Sequence, residues 1–199
     1  FEEVYVEPAS AWSVTVTGDV GAAALAAVPA DERNLVVKAA KALATKAGID
    51  NPQPMHFKIV KRVPAAGGVA GGSADAAAAL VALNEAWCLG LEQASLMEVA
   101  AELGADVPFA LLGGTALGLG SGTELTQLAS VDSRYVLLVF STPGISTAES
   151  FKVFDRVSPE GDITIDPQKF GSGFDLAMAG RNSLLGPALE LRPDLRQML

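Results

Sequence analysis

The sequence predicts an α+β fold, and three observations carry that prediction. Strand-like and helix-like stretches are mixed without regular βαβ alternation. Half of the 199 residues are hydrophobic, enough to bury a core in one large domain or two small ones. Gly- and Pro-rich turns separate the elements, and no internal repeat is present.

The elements follow in order. "WSVTVTG" alternates Trp12, Val14 and Val16 against Ser13, Thr15 and Thr17, the period of a half-buried strand. "FEEVYVEP", ended by Pro8, is its expected hairpin partner. A helix is expected from Asp31, with Val36, Ala39, Ala40 and Leu43 on one face and Gly48 as its stop. "MHFKIVKRV" is a third strand that places Met55, Phe57 and Ile59 on one side. The single histidine, His56, alternates outward there, to a solvated or edge position. A glycine loop leads into a helix from about Ala74 to Leu89. Another helix, Gln93 to Leu103, is expected to bury Leu96, Val99, Ala100 and Leu103.

"GADVPFALLGGTALGLGSGTEL" reads as a glycine-punctuated turn and strand region, and "RYVLLVFSTPG" as a strongly apolar strand. After Pro143 and Gly144 a new helix opens at Ser146, where "STAE" is a capping box. Ser158 to Gly173 is polar and turn-rich, a loop or variable insertion. "ELRPDLRQML" reads as a helix that stops without a cap, and Phe1 is not an initiator Met. The expectation is a piece of a longer protein, truncated at both ends.

Composition narrows the function. Charged residues make up 19% of the chain, and no stretch reaches the ~20 strongly apolar residues of a membrane span. No signal peptide is visible. A formal net charge of −9 and a pI near 4.6 argue against nucleic-acid binding. Small anions remain possible ligands, because clustered backbone N–H groups can hold them inside an acidic protein. The single Cys88 excludes an intramolecular disulfide and any multi-cysteine metal site. At the end of an apolar helix it is expected to be a buried, inert thiol. A reducing cytoplasm fits these features.

"VPAAGGVAGGSADAAAALVAL", Val63 to Leu83, crowds glycines against a strong helix former. A helix N-terminus presents unpaired N–H groups and the positive end of the macrodipole. Gly67, Gly68, Gly71 and Gly72 would let further amides turn inward and a polyphosphate approach closely, and Ser73 would add an N-cap hydroxyl. No Gly-Lys-Ser/Thr closes the loop, so it is not a Walker A sequence, and the dinucleotide fingerprint fits poorly. The alternative is a tight strand-to-helix turn. Asp75 in the first helical turn would repel a phosphate, so either it points away or a divalent cation lies between them.

"PAAGGVAGGSADAAAAL" resembles the second motif of the GHMP small-molecule kinases. "DERNLVVKAA", "LGADVPFALLGGTALGLGSGTEL" and "GISTAESF" extend the resemblance over nearly the whole chain in the family's order. They point to the branch acting on a cytidine-diphosphate-linked polyol in the non-mevalonate isoprenoid route. The resemblance implies a two-domain fold, with a ribosomal protein S5 domain 2-like N-terminal domain and a ferredoxin-like C-terminal domain. Here residues 1–143 would be the ATP-binding domain lacking its first strand. Residues 144–199 would be the incomplete start of the second domain. There are two departures: Ala70 stands where the family usually has Gly, and Ala74 where a second Ser is common. The first is harmless if Ala70 keeps a negative φ; the second removes one phosphate or metal contact.

The same resemblance implies ATP and Mg2+ as cofactors and a small-molecule alcohol as phosphate acceptor. It places ATP at Asn34, Lys61, Pro64, Ala65, Ala66, Gly67, Gly68, Val69, Ala70, Gly71, Gly72, Ser73 and Ala74. Asn34 and Lys61 would lie at the adenine. It names no metal ligand in this chain. Asp106, held between Gly104 and Pro108, carries over as general base and substrate contact; by itself it reads as a turn-forming residue. The family pairs this base with a lysine on an N-terminal strand that this sequence does not contain. Thr147 would approach the substrate and Phe151 would stack on its cytosine ring, although Phe151 and Phe154 also read as ordinary core. Three readings stay open: this branch, a GHMP kinase for homoserine, mevalonate or a sugar, and a nucleotide-binding fragment without turnover.

Overall fold

The computed structural model describes residues 2–64, 68–129, 135, 137–139, 141, 144–157 and 182–198. It divides into two compact units, Phe1–Gln127 and Leu128–Leu199.

In the first unit, three strands form one sheet: β1 (Glu3–Pro8), β2 (Ser13–Gly18) and β3 (Met55–Lys61). Their order is β1-β3-β2. β3 is therefore the central strand, antiparallel to β1 and parallel to β2. The expected hairpin between β1 and β2 does not form. The short link between those strands does not pair them, because the inward residues of β3 need a neighbour on each side. The parallel β2–β3 pair requires a crossover, supplied by α1 (Ala22–Ala26) and α2 (Leu35–Lys46). One βαβ step is thus present inside the α+β arrangement.

Register explains why Gly18 cannot be replaced. It pairs with Lys61, and a Cβ added there would sit 1.9 Å from the Lys61 carbonyl oxygen. His56 lies on the central strand, not at an edge; it is half-buried, with Nδ1 2.8 Å from Ser13 Oγ on β2.

The remaining helices of this unit are α3 (Gly71–Ala86), α4 (Gln93–Leu103) and α5 (Val107–Leu112), followed by the hairpin β4 (Ala116–Leu119) and β5 (Glu124–Gln127). The core forms where the inward side of β3, Met55, Phe57 and Ile59, meets α2 and α3. Ala39 and Ala40 of α2 and Ala76, Ala77 and Ala79 of α3 are buried, so the small side chains let the two helices approach closely. Trp12 stacks on Phe57 at 6.4 Å between ring centroids and meets Trp87 edge-on. On α4, Leu96, Val99 and Ala100 are buried as their spacing predicts, and Leu103 is half-buried. The helix α5 lies inside the stretch read as turns and strands, because a six-residue helix is too short to show a period.

Cys88 departs from expectation. It is exposed, and its φ is +53°. It follows the last turn of α3, where the chain reverses instead of entering the core.

In the second unit, α6 (Thr147–Val157) packs against α7 (Leu185–Leu191), which leads into a 3-10 turn, Pro193–Gln197. Ser146 Oγ accepts the Glu149 N–H at 3.4 Å, as a capping box requires. The described residues of "RYVLLVFSTPG" lie in no strand, and Tyr135, Leu137, Leu138 and Val139 are exposed. An apolar strand needs a partner edge, and none pairs with it among the described residues. The Ser158 to Gly173 loop lies outside the described residues.

Candidate functional site

Lys61 continues the inward phase of β3 after Met55, Phe57 and Ile59, so its ammonium enters the unit's interior. Two buried carboxylates meet it there. Glu2 Oε2 is 2.6 Å from Lys61 Nζ and Asp75 Oδ2 is 2.9 Å away. Asp75 comes from the first turns of α3 and is 3% exposed, which makes its pairing obligatory. The Asp75 carboxyl is pushed up to about 7 by burial and by the Glu2 carboxyl beside it, against the opposing pull of Lys61. Its second oxygen, Oδ1, is buried without a hydrogen-bond partner. The Asp75 carboxylate is thus engaged by Lys61.

Beside this cluster is a cavity of about 230 Å³, whose apolar lining is Ala27, Val28, Pro29 and Leu35. Arg33, Asn34, Lys61, Gly72 and Asp75 complete the lining. Apolar lining with a few fixed polar groups is the usual build of a small-molecule site, and this volume suits one end of a nucleotide rather than all of it. Asn34 is the N-cap of α2. Its Oδ1 accepts from the Val36 N–H at 3.1 Å and its Nδ2 donates to the Pro29 carbonyl at 2.6 Å, which ties the cavity wall to the helix start. The helix expected from Asp31 thus begins at Leu35. Arg33 reaches back to Asp31 at 2.9 Å on the exposed rim.

The start of α3 also differs from the sequence reading. The helix opens at Gly71, with Ala70 as N-cap and no side-chain cap, so Ser73 lies within the first turn and is not the N-cap. Ala70 has φ +53°, which overturns the condition under which its replacement of Gly was harmless. A left-handed non-glycine residue of this kind costs about 1–2 kcal/mol. Gly71 has a different task from the one expected. A Cβ there would lie 2.8 Å from Val63 Cγ2, 3.1 Å from Lys61 Nζ and 3.3 Å from Glu2 Oε2. Its missing side chain makes room for the ion cluster. Gly72, by contrast, lines the cavity, and a Cβ there would meet only Leu35 Cδ1 at 3.7 Å.

The structure thus brings Asn34, Lys61 and Gly72 together, with Gly71, Ser73 and Ala74 continuing along α3. Gly68, Val69 and Ala70 are exposed ahead of the helix, and Pro64 is half-buried. Ala65, Ala66 and Gly67 lie outside the described residues. Asp106 is exposed at the N-cap of α5, a helix that packs on α3, and its carboxylate makes no capping bond. Thr147 and Phe151 belong to the other unit. Phe151 is exposed rather than core, and its ring meets Phe154 edge-on at 6.5 Å.

Sequence reasoning missed Glu2, Arg33 and the Ala27–Pro29 wall, and it left the partner of Asp75 open. The signal for the ion cluster was present. A lysine in phase with three buried apolar residues needs a carboxylate, and Asp75 is the acid interrupting the next helix's alanine run.

For Mg2+, the described residues contain no group of three or more His, Cys, Asp or Glu side chains able to hold a metal ion. The two buried carboxylates near the loop are both taken by Lys61. A preformed Mg2+ site therefore does not fit these residues, whereas the cavity and glycine-led helix start do suit a nucleotide.

The fold is that of a GHMP-kinase domain, and the family described as "GHMP kinases N terminal domain" matches residues 34–114. The 4-diphosphocytidyl-2-C-methyl-D-erythritol kinase of Nocardia farcinica is 45% identical over all of this chain and 65% of its own length. The enzyme of that name from Leifsonia xyli subsp. xyli is 38% identical over all of this chain and 68% of its own. A solved structure of 4-(cytidine 5'-diphospho)-2C-methyl-D-erythritol kinase superposes with a TM-score of 0.64 at 28% identity, covering 99% of this chain and 67% of that one. This chain belongs to the 4-diphosphocytidyl-2-C-methyl-D-erythritol kinase family. It spans about two thirds of the length of the curated relatives it matches.

Proposed function

We propose that the protein transfers phosphate from ATP to the 2-hydroxyl of 4-diphosphocytidyl-2-C-methyl-D-erythritol, a step of the non-mevalonate isoprenoid route. One observation carries this reading. The cavity lined by Asn34, Lys61 and Gly72 lies beside the glycine-led start of α3, in a chain whose relatives bear that kinase name.

In this reading the adenine end enters the cavity between the Pro29–Leu35 wall and Lys61. The amides of Gly71, Gly72 and Ser73, which have no acceptor within their own helix, receive phosphate oxygens. Loop residues Pro64 to Ala70 complete that contact. Asp106 accepts the proton of the attacking hydroxyl, a general-base role that contributes typically 10²–10⁴-fold. Phe151 stacks on the substrate's cytosine and Thr147 adds a polar contact. Mg2+ would enter with the nucleotide as its counter-ion, and no described residue is assigned to hold it. The proposed domains are residues 1–143 and 144–199, the first carrying ATP. The cytoplasm is the proposed location, where both small molecules would be met.

The test is a transfer assay with ATP and this acceptor, run beside homoserine, mevalonate and sugar acceptors. Asp106→Asn should lower kcat by at least ~10²-fold while nucleotide affinity stays within about twofold. Near-normal turnover in that variant removes Asp106 as the base, and turnover with another acceptor alone removes the substrate assignment.

A further inference from the structure

The Glu2–Lys61–Asp75 cluster has a charge imbalance that the proposed reaction does not use. With all three groups ionised it carries a net charge of −1 around one ammonium, with 2.6 Å and 2.9 Å contacts. Asp75 Oδ1 is left buried and unpartnered. A buried surplus charge is unfavourable, and a proton on Asp75 removes it, giving the carboxyl an O–H that the neighbouring Glu2 carboxylate can accept. The cluster then becomes neutral.

Among the described residues, no other charged group compensates the surplus charge. Lys61 comes from the end of β3 and Glu2 from the residue before β1; these are the charged groups that act on the Asp75 carboxyl. From the α2 side, Arg33 lines the same cavity but lies on the rim with its guanidinium on Asp31. Neither α4 nor α5, the other helices packed on α3, contributes a charge that acts on it.

We propose that this cluster couples nucleotide binding to the uptake of a proton, with Asp75 as the carboxyl that receives it. The inference rests on the nucleotide reading of the cavity. A triphosphate at the start of α3 adds negative charge next to a wall that is already negative, and the neutral cluster tolerates it better. The proton comes from solvent and forms one O–H bond on the Asp75 carboxyl; no bond of the nucleotide changes. The free carboxyl is already held up to about 7, so a bound anion moves its titration above neutrality. Below that range the proton is already present and binding takes up none. Above it, affinity falls with rising pH, by at most about tenfold per pH unit for one proton.

The experiment is isothermal titration of the chain with MgATP, without acceptor, in PIPES, HEPES and Tris between pH 6 and 8.5. These buffers differ in ionisation heat, so proton uptake appears as a buffer-dependent enthalpy. The expected result is uptake approaching one proton per nucleotide above pH 7, vanishing near pH 6. In Asp75→Asn the buffer dependence should fall to the share that the nucleotide itself contributes, so the difference between the two chains is the proton taken up by Asp75. Binding with a buffer-independent enthalpy at pH 8, or equal uptake in Asp75→Asn, overturns the coupling while leaving the nucleotide reading intact. Absence of MgATP binding in the unsubstituted chain overturns both. Should Asp75→Asn not fold, carbon-13 titration of the Asp75 carboxyl with and without MgATP decides: an upward shift supports the proposal and none overturns it.

Discussion

The two helices that cover β3 end in different ways. α2 has the residues its backbone asks for. Asn34 caps the start, and Gly48 at φ +69° closes the end, with Gly48 N–H on the Thr45 carbonyl and Ile49 N–H on the Ala44 carbonyl. α3 makes the same closing pattern, Cys88 N–H to the Glu85 carbonyl and Leu89 N–H to the Asn84 carbonyl, but with Cys88 at φ +53° in the glycine position. Its start has Ala70, also at φ +53°. Those are the non-glycine residues of positive φ among the described ones, and they flank the same helix. Both ends of α3 must therefore be held from outside. The Asn84 side chain bonds both the N–H and the carbonyl of Leu91 across the closing turn, and the Lys61 cluster packs against Gly71 at the opening. Stored strain at the helix whose glycine-led start adjoins the cavity, and none at α2, matches where proteins tolerate such conformations.

That contrast can be broken most severely at Gly71. Gly71→Val pushes a branched side chain against Val63 and the ion cluster, and it should destabilise the unit by about 1–3 kcal/mol or more, measured by denaturant unfolding. A fully stable variant would mean that the cluster does not hold the opening of α3. Gly72→Ala is its counterpart: the added methyl meets only Leu35, so the fold should persist while MgATP affinity drops several-fold in titration calorimetry.

The ends of α2 give smaller effects. Asn34→Ala removes a cap and the Pro29 tie, and should cost about 1 kcal/mol. Gly48→Ala should cost a similar ~1 kcal/mol, because alanine resists a positive φ. At α3 the sign reverses. Ala70→Gly and Cys88→Gly should each raise stability by several tenths to ~1 kcal/mol, and a loss in both would show that neither residue is strained.

The sequence made α2 legible because its signals are local. The period of Val36, Ala39, Ala40 and Leu43 agrees with Gly48 as the stop, whereas the start was placed at Asp31 and not at the Asn34 cap. The helix α3 was found but its start was placed near Ala74, since nothing local announces a helix opening on two glycines after an alanine. The same limit explains the misread hairpin: alternation identifies β1 and β2 as strands, whereas their common partner β3 is chosen by packing. Asn34, Lys61 and the glycine run were expected as site residues through motif resemblance, and Asn34, Lys61 and Gly72 line one cavity. Glu2 was not, because its role exists only once β1 lies beside β3 and brings a carboxylate to Lys61.

The ion cluster also fixes how the two ends of the pH scale should differ. The folded-state titration of Asp75 lies above its ordinary value of 3.8, so the folded chain binds a proton more tightly than the unfolded one. This contribution to stability is present below pH ~4 and is lost as pH rises through about 7. Thermal unfolding should accordingly show Asp75→Asn gaining on the unsubstituted chain from pH 5 to pH 8. An equal gap at both pH values would place the Asp75 carboxyl in an ordinary environment.

A crystal structure of the chain with MgATP tests the site most directly. The phosphates should lie on the Gly71, Gly72 and Ser73 amides, with the base between Leu35 and Lys61 and the Glu2–Lys61–Asp75 contacts kept. A nucleotide seated elsewhere, or those amides turned away from its phosphates, would contradict the account.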